Sequence, residues 1–277
     1  PFTKEGTTKK GFIKNINLQY SSTAENRATL PDDLLFKKGM FENAKNGMQH
    51  MIPISTNFKA FKFFSISMGG NYQEVWALKT KRYFDYNEVD GLIMEEIKGF
   101  DRFAKYNYSA SMTTKIYGTL NFKPDNKIQS IRHVITPSIS YSNSPSFEKY
   151  YDTYIIDAEG NTAEYTRFQG GLYGAPSKSF GSSIGISIQN SFEAKVKPKD
   201  STITELKKIK FLNNLNISTS YNLAAEEFKL SPIRVTTGFK ITEGFDVNTG
   251  ATFDPYGLDE ENNRVNIFNI KNGGGLL

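Results

Sequence analysis

Two histidines, no cysteine and a dispersed set of 34 lysines and arginines are the raw material for chemistry in this 277-residue chain. Without cysteine there is no disulfide, no zinc–thiolate site and no thiol nucleophile. His50 and His133 each share a parity with apolar neighbours, which points to packing or hydrogen bonding rather than to a metal pair. "DAEGN" spaces Asp157, Glu159 and Asn161 at alternate positions, but it lacks the length and the closing glutamate of a calcium-binding loop, so a solvated loop is expected. Gly170, Gly171 and Gly174 in "GGLYGAP" have no following helix and so no phosphate cradle. Serine is abundant, yet no nucleophile elbow or His–Asp partnership accompanies it. No enzyme and no cofactor is expected. The remaining constellation is cationic: Lys79, Lys81 and Arg82 close one apolar-alternating run, and Arg102 and Lys105 open the next. If those runs form a hairpin, the five gather at its outer end, where guanidinium and ammonium groups match phosphate oxygens. An ordinary charged loop rim is the alternative.

What positions such groups must be read from the spacing of the apolar residues. These make up only 38% of the chain, whereas aromatics make up 14%, supplied almost wholly by 22 Phe and 15 Tyr. A soluble domain of this length usually carries longer aliphatic runs. Here no stretch approaches the ~20 apolar residues of a membrane-spanning helix. The net charge of +5 is spread without a basic helix or arginine tract, so nucleic acid is not an expected partner.

Period two dominates. In "YNYSASMTTKIYGTLNF" (106–122) Tyr106, Tyr108, Ala110, Met112, Ile116, Leu120 and Phe122 share one side, and the reverse is almost wholly polar. Other runs behave alike. Phe12, Ile16, Leu18 and Tyr20 alternate with asparagines, and Met48, Ile52, Ile54 and Phe58 share a side with His50. Phe64, Ile66, Met68, Tyr72, Trp76 and Leu78 form a third column. Ile131, Ile135, Ile139 and Tyr141 oppose Ser130, Arg132, Thr136, Ser138 and Ser140. Ile184, Ile186, Ile188, Phe192 and Val196 oppose Ser187, Gln189, Ser191, Glu193 and Lys195. Further runs follow through Leu215–Leu223, Ile233–Phe239 and Phe245–Phe253, and a tenth begins in "RVNIFNI".

Connections alternate too: short at 59–62, 123–128 and 242–244, somewhat longer at 197–208, and long and polar near 21–46, 79–103 and 143–180. That rhythm predicts an all-β antiparallel transmembrane β-barrel meander, with residues 1–277 forming one domain of about nine to ten strands of a larger barrel. In hydrocarbon every backbone polar group must be paired within the protein, so a spanning sheet has to close on itself. Tyr20, Tyr72, Tyr106, Tyr108, Tyr141 and Trp76 sit near strand ends, as an interfacial aromatic girdle requires. The expected location is the cell outer membrane. A soluble β-sandwich is the competing fold.

Four segments, "MQHMIPISTNFKAFKFFSIS" (48–67), "IQSIRHVITPSISYSNSPSFEKYYDTY" (128–154), "LNNLNISTSYNLAAEEFKLSPI" (212–233) and "GATFDPYGLDEENNRVNIFNIKNGGGLL" (250–277), resemble the LptD family of lipopolysaccharide-assembly outer-membrane proteins, most closely its Bacteroidota branch. The resemblance implies a very large barrel plugged by an LptE-like lipoprotein and fed by periplasmic lipid-bridge proteins. It also implies lipopolysaccharide leaving sideways into the outer-membrane lipids. A chain that opens without Met and stops at "GGGLL" is expected to be a mature product or an internal portion of the barrel wall. On this reading Lys79, Lys81, Arg82, Arg102 and Lys105 are candidate contacts to lipopolysaccharide phosphates, and Lys115, Arg132, Glu193 and Lys195 face the lumen, its plug or hydrated sugars. Pro53 and Pro137 fall within strands and each removes a ladder donor. A general outer-membrane channel, porin-like and axial, is the alternative function.

Overall fold

The structure, a computed structural model, describes residues 15–29, 31, 37, 40, 44–198, 205–242 and 245–272. Phe12 of the first alternating run lies outside them. Fifteen strands are described, and no described helix is long and apolar enough to cross a membrane. Eleven strands form one sheet. Its path runs from β1 (Asn17–Leu18) through β3 (Lys45–Ala60), β4 (Phe64–Tyr83), β5 (Met94–Thr113), β7 (Ile128–Ser144), β10 (Gly181–Val196), β11 (Lys207–Asn222) and β12 (Ile233–Thr242) to β13 (Phe245–Phe253). β2 (Ser21–Arg27) also pairs with β3, and β6 (Ile116–Asn121) with β7. Neighbours in the chain are neighbours in the sheet, the meander that period two predicts, and each described register is antiparallel. The two ends of the path are not paired with each other among the described residues, so this sheet is open.

The long stretch 106–122 is not a single strand. β5 stops at Thr113 and β6 begins at Ile116. Ile116 faces Ile135 in register, which sets Thr114 opposite Pro137. Thr114 N–H donates to the Pro137 carbonyl at 3.3 Å, and proline has no N–H to return. The first ladder breaks in the same way. Leu18 faces Ile54 and Ser21 faces Met51, so Gln19 lies opposite Pro53, to whose carbonyl its N–H donates at 3.1 Å. Each interruption is a missing donor on the neighbouring strand.

Three further expectations change. Part of the supposed loop 21–46 is β2, and most of 79–103 belongs to β4 and β5, whose polar residues prolong the ladder past the apolar columns. The segment "RVNIFNI" does not join the main sheet. As β15 (Arg264–Phe268) it pairs with β14 (Tyr256–Leu258), with Tyr256 stacked on Phe268 at 5.1 Å between ring centres. The connection 143–180 carries its own hairpin, β8 (Tyr151–Ile155) with β9 (Thr162–Thr166).

The chain divides into two compact units. The first comprises Pro1–Thr56, Met68–Tyr108 and Asn143–Gly181 and holds the long connections. The second comprises Asn57–Ser67, Ser109–Ser142 and Ser182–Leu277 and holds the short turns and β10 to β13. Fully buried apolar residues are few among those described, and most belong to the first unit. The apolar columns themselves stay open: Leu120 is 60% exposed, Ile116 53%, Ile186 48% and Ile139 44%. A sandwich would place these columns between two sheets. Here the Ile186 column is left open on its sheet, with no second sheet packed over it among the described residues, which does not fit a sandwich.

At the turn between β3 and β4, Phe61 and Lys62 both hold left-handed backbone, φ 48° and 64°. Left-handed backbone at two successive turn positions favours Asn-Gly, and it strains a phenylalanine. Replacing Phe61–Lys62 by Asn-Gly should stabilise the hairpin by about 1–2 kcal/mol. Slower amide exchange at Ala60 and Phe64 is the expected result, and unchanged exchange would count against the strain.

Candidate functional site

On the apolar face of the first unit two of the expected girdle residues, Tyr20 and Trp76, belong to one connected cluster. Trp76 packs on His50 at 4.3 Å and on Phe100 at 5.5 Å between ring centres, and the Tyr20 hydroxyl meets His50 Nδ1 at 2.8 Å. His50 thus has the packing and hydrogen-bonding role that its parity predicts. The same column contains a carboxylate that the apolar reading of β4 passes over. Glu74 lies between Tyr72 and Trp76 and accepts from the Tyr72 hydroxyl at 2.6 Å, Trp76 Nε1 at 2.7 Å and the Arg102 guanidinium at 2.9 Å. Three donors on one carboxylate make a charge tolerable on this face.

The five rim cations do not gather in one place. β4 and β5 are adjacent as the hairpin requires, but alternation divides the set. Arg102 pairs with Glu74, and Arg82 lies over the Phe84 ring at 5.0 Å; both are on the girdle side. Lys79 and Lys81 line a cavity of about 100 Å³ with Val75, Phe103 and Phe168 on the reverse face, and Lys79 also approaches Glu96 at 3.7 Å. Lys105 lines a separate depression with Asn71 and Gln73.

That reverse face is covered in the first unit by the segment 145–180. Phe168 is buried against Phe103, 4.8 Å between ring centres, and against Val75. The Tyr150 hydroxyl accepts from the Ala104 amide at 3.0 Å, and Lys81 N–H donates to the Arg167 carbonyl at 2.8 Å. Arg167 donates to Asp101 at 2.5 Å, a hydrogen bond that raises the guanidinium pKa against the opposing effect of burial. Lys45 Nζ reaches the Gly170 carbonyl at 2.8 Å. Gly170 and Gly174 hold φ of 76° and 73°, so the glycine-rich stretch lets this segment turn back on the sheet. "DAEGN" is the tip of the β8–β9 hairpin: Asp157 accepts from the amide and side chain of Asn161 at 2.9 and 2.6 Å, a pattern that lowers its pKa.

In the second unit the apolar face seats the other histidine. His133 lies opposite Gly118, stacks on Phe192 at 4.1 Å and hydrogen-bonds Asn190 Oδ1 at 2.9 Å. The polar face of the same strands brings together three of the four predicted lumen residues. Lys115, Arg132 and Glu193 line one depression with Tyr117, Val134, Ser191 and Lys210. The fourth, Lys195, is two residues along β10 from Glu193 on the same face, directly opposite Lys208, as Glu193 is opposite Lys210. Tyr117, Lys208 and Lys210 escape a reading strand by strand. The alternation of Lys208 and Lys210 in "LKKIKF" was visible, but only the register of β10 with β11 sets them beside Glu193 and Lys195.

A family profile described as LptD protein matches residues 1–256. The chain belongs to the LptD family. No curated protein and no solved structure matches it. Membership sets the chain among proteins of lipopolysaccharide transport and assembly at the outer membrane, a transport class and not an enzyme class. Lipopolysaccharide is accordingly the substrate of the family, and the other transport components are its partners. The all-β class, the antiparallel strands and the exposed apolar face with a hydrophilic reverse are consistent with that family.

Proposed function

We propose that this chain is a wall segment of a larger outer-membrane β-barrel that delivers lipopolysaccharide to the outer leaflet. Residues 1–277 act as a single wall element whose open edges pair with further strands. The observation that carries the reading is the two-faced layer: an apolar column left 48% exposed at Ile186, backed by serine, asparagine and lysine, in a chain of this family. Hydrocarbon suits the first face and a water-filled lumen the second. Sugars and phosphates travel along the polar side, and acyl chains leave sideways into lipid. An LptE-like lipoprotein plugs the lumen, and periplasmic lipid-bridge proteins supply the substrate from the short-turn side. Arg82 and Arg102 stand on the girdle side, where headgroup phosphates lie, whereas Lys79, Lys81 and Lys105 meet material on the inner side. Lys115, Arg132, Glu193 and Lys195 border the sugar path.

The porin-like alternative sends solute along the barrel axis. Coverage of the inner face by residues 145–180 favours a sideways exit, because this segment occupies the face an axial path would follow in the first unit. Extraction of the intact complex in mild detergent tests the choice. Copurification of a lipoprotein and of lipopolysaccharide is expected. A barrel carrying neither, and conducting small ions in planar bilayers, would establish the channel instead.

A further inference from the structure

The polar face of the second unit carries a concentration of positive charge that structure alone assembles. Lys115, Arg132 and Lys210 converge on one depression of about 250 Å³, drawn from the break just before β6 and from β7 and β11. Lys195 and Lys208 extend it by register, so five cations surround one carboxylate, Glu193. No described ion pair involves any of the five, and Glu193 is not in one either. Compare the first unit, where Arg102, Arg167 and Lys79 each have a carboxylate partner. Like charges crowded without counter-ions cost free energy in the folded state, and an anionic ligand removes that cost. Arg132 is also held in place: its guanidinium lies 5.1 Å from the centre of the Tyr117 ring, which fixes the plane it offers to an incoming oxyanion.

The geometry points to a binding site for a phosphorylated saccharide on this face, near the short turns, with Arg132, Lys115 and Lys210 engaging phosphate and Glu193 accepting from a sugar hydroxyl. Planar guanidinium takes a phosphate in bidentate fashion, and the two flanking ammonium groups supply point charge. Its position near the turns after β6 and β10 makes it a loading station at the side from which substrate arrives. The affinity for phosphate rests on the cations themselves; identification of the ligand as a phosphorylated saccharide, the sugar–phosphate portion of lipopolysaccharide, rests on the transport reading above.

The test uses the intact membrane complex with Thr119, which faces Arg132 across the ladder, replaced by a photoreactive phenylalanine derivative. Four probes are offered: purified lipopolysaccharide, its phosphatase-treated form, its deacylated phosphorylated oligosaccharide, and inorganic pyrophosphate as competitor. Both phosphorylated glycans should be captured, pyrophosphate should compete, and the dephosphorylated form should not be captured. K115Q/R132Q/K210Q should reduce capture about 10- to 100-fold, the range that loss of several charge-assisted bonds allows, while K115R/K210R keeps it. Single R132Q and K210Q variants give the same reading if the triple variant does not assemble. Equal capture of the dephosphorylated glycan, undiminished capture by the glutamine variants, or capture of an acidic protein in place of glycan would overturn the site. If the oligosaccharide is captured but intact lipopolysaccharide never is, the site stands and the transport reading falls. If delivery of lipopolysaccharide proceeds while neither glycan is captured, the site falls and the transport reading stands.

Discussion

Ile186→Lys should cost about 2–4 kcal/mol of membrane stability, the penalty for a lysine on the lipid side of a barrel strand near the bilayer centre. The residue lies in the middle of β10, opposite Thr219 of β11, and is 48% exposed. In a soluble protein a lysine at so open a position would be nearly neutral. The size of the effect therefore reports the solvent on that face. Ser187→Lys, one residue along and on the reverse side, should be tolerated with a change under about 0.5 kcal/mol. Assembly into phospholipid vesicles, followed by a urea titration of both variants, measures the difference. Equal behaviour of the two substitutions would mean that neither side of β10 meets hydrocarbon, and the transporter reading would lose its physical basis.

Phe103→Ala should release the segment 145–180 from the sheet. Phe103 is 1% exposed, and it packs on Phe168 and on Tyr150 from that segment and on Val75 beside it. Truncating a buried phenylalanine to alanine typically costs about 3–5 kcal/mol, and here the loss falls on the docking of one segment. The Arg167–Asp101 pair, its side chains 35% and 31% exposed, does not make up such a deficit, since ion pairs open to water contribute about 0–1 kcal/mol. The β8–β9 hairpin should then exchange its amides faster and become sensitive to protease, while β11 to β13 keep their protection. Phe103→Leu, which keeps most of the volume, should lose under about 1.5 kcal/mol and leave the segment docked. Protection at Thr162–Thr166 that is indifferent to Phe103→Ala would show that the hydrogen bonds alone hold the segment down.

The two-sided strands were legible because a side chain's face depends only on whether its position is odd or even. That is why the columns through Ile186, Leu120 and Ile139 were found where they lie. The same rule, applied fully, would have divided Lys79 and Lys81 from Arg82 and recognised Glu74 as a member of the Tyr72–Trp76 column. Strand ends are less legible. Tyr83 and Met94 continue β4 and β5 through polar sequence, because backbone pairing outside an apolar slab needs no apolar side chain. The prolines are visible in the sequence, but their consequence depends on partners: only register shows that Gln19 faces Pro53 and Thr114 faces Pro137.

Sequence alone therefore determined the all-β class, the alternation of faces and the family, since each depends on residues close together in the chain. Tertiary structure decided which cations meet. Lys115, Arg132 and Lys210 come from strands up to 95 positions apart, and no local rule carries register over that distance. It likewise decided that residues 145–180 lie on the sheet, because Phe168 finds Phe103 through packing in space and not through any spacing along the chain.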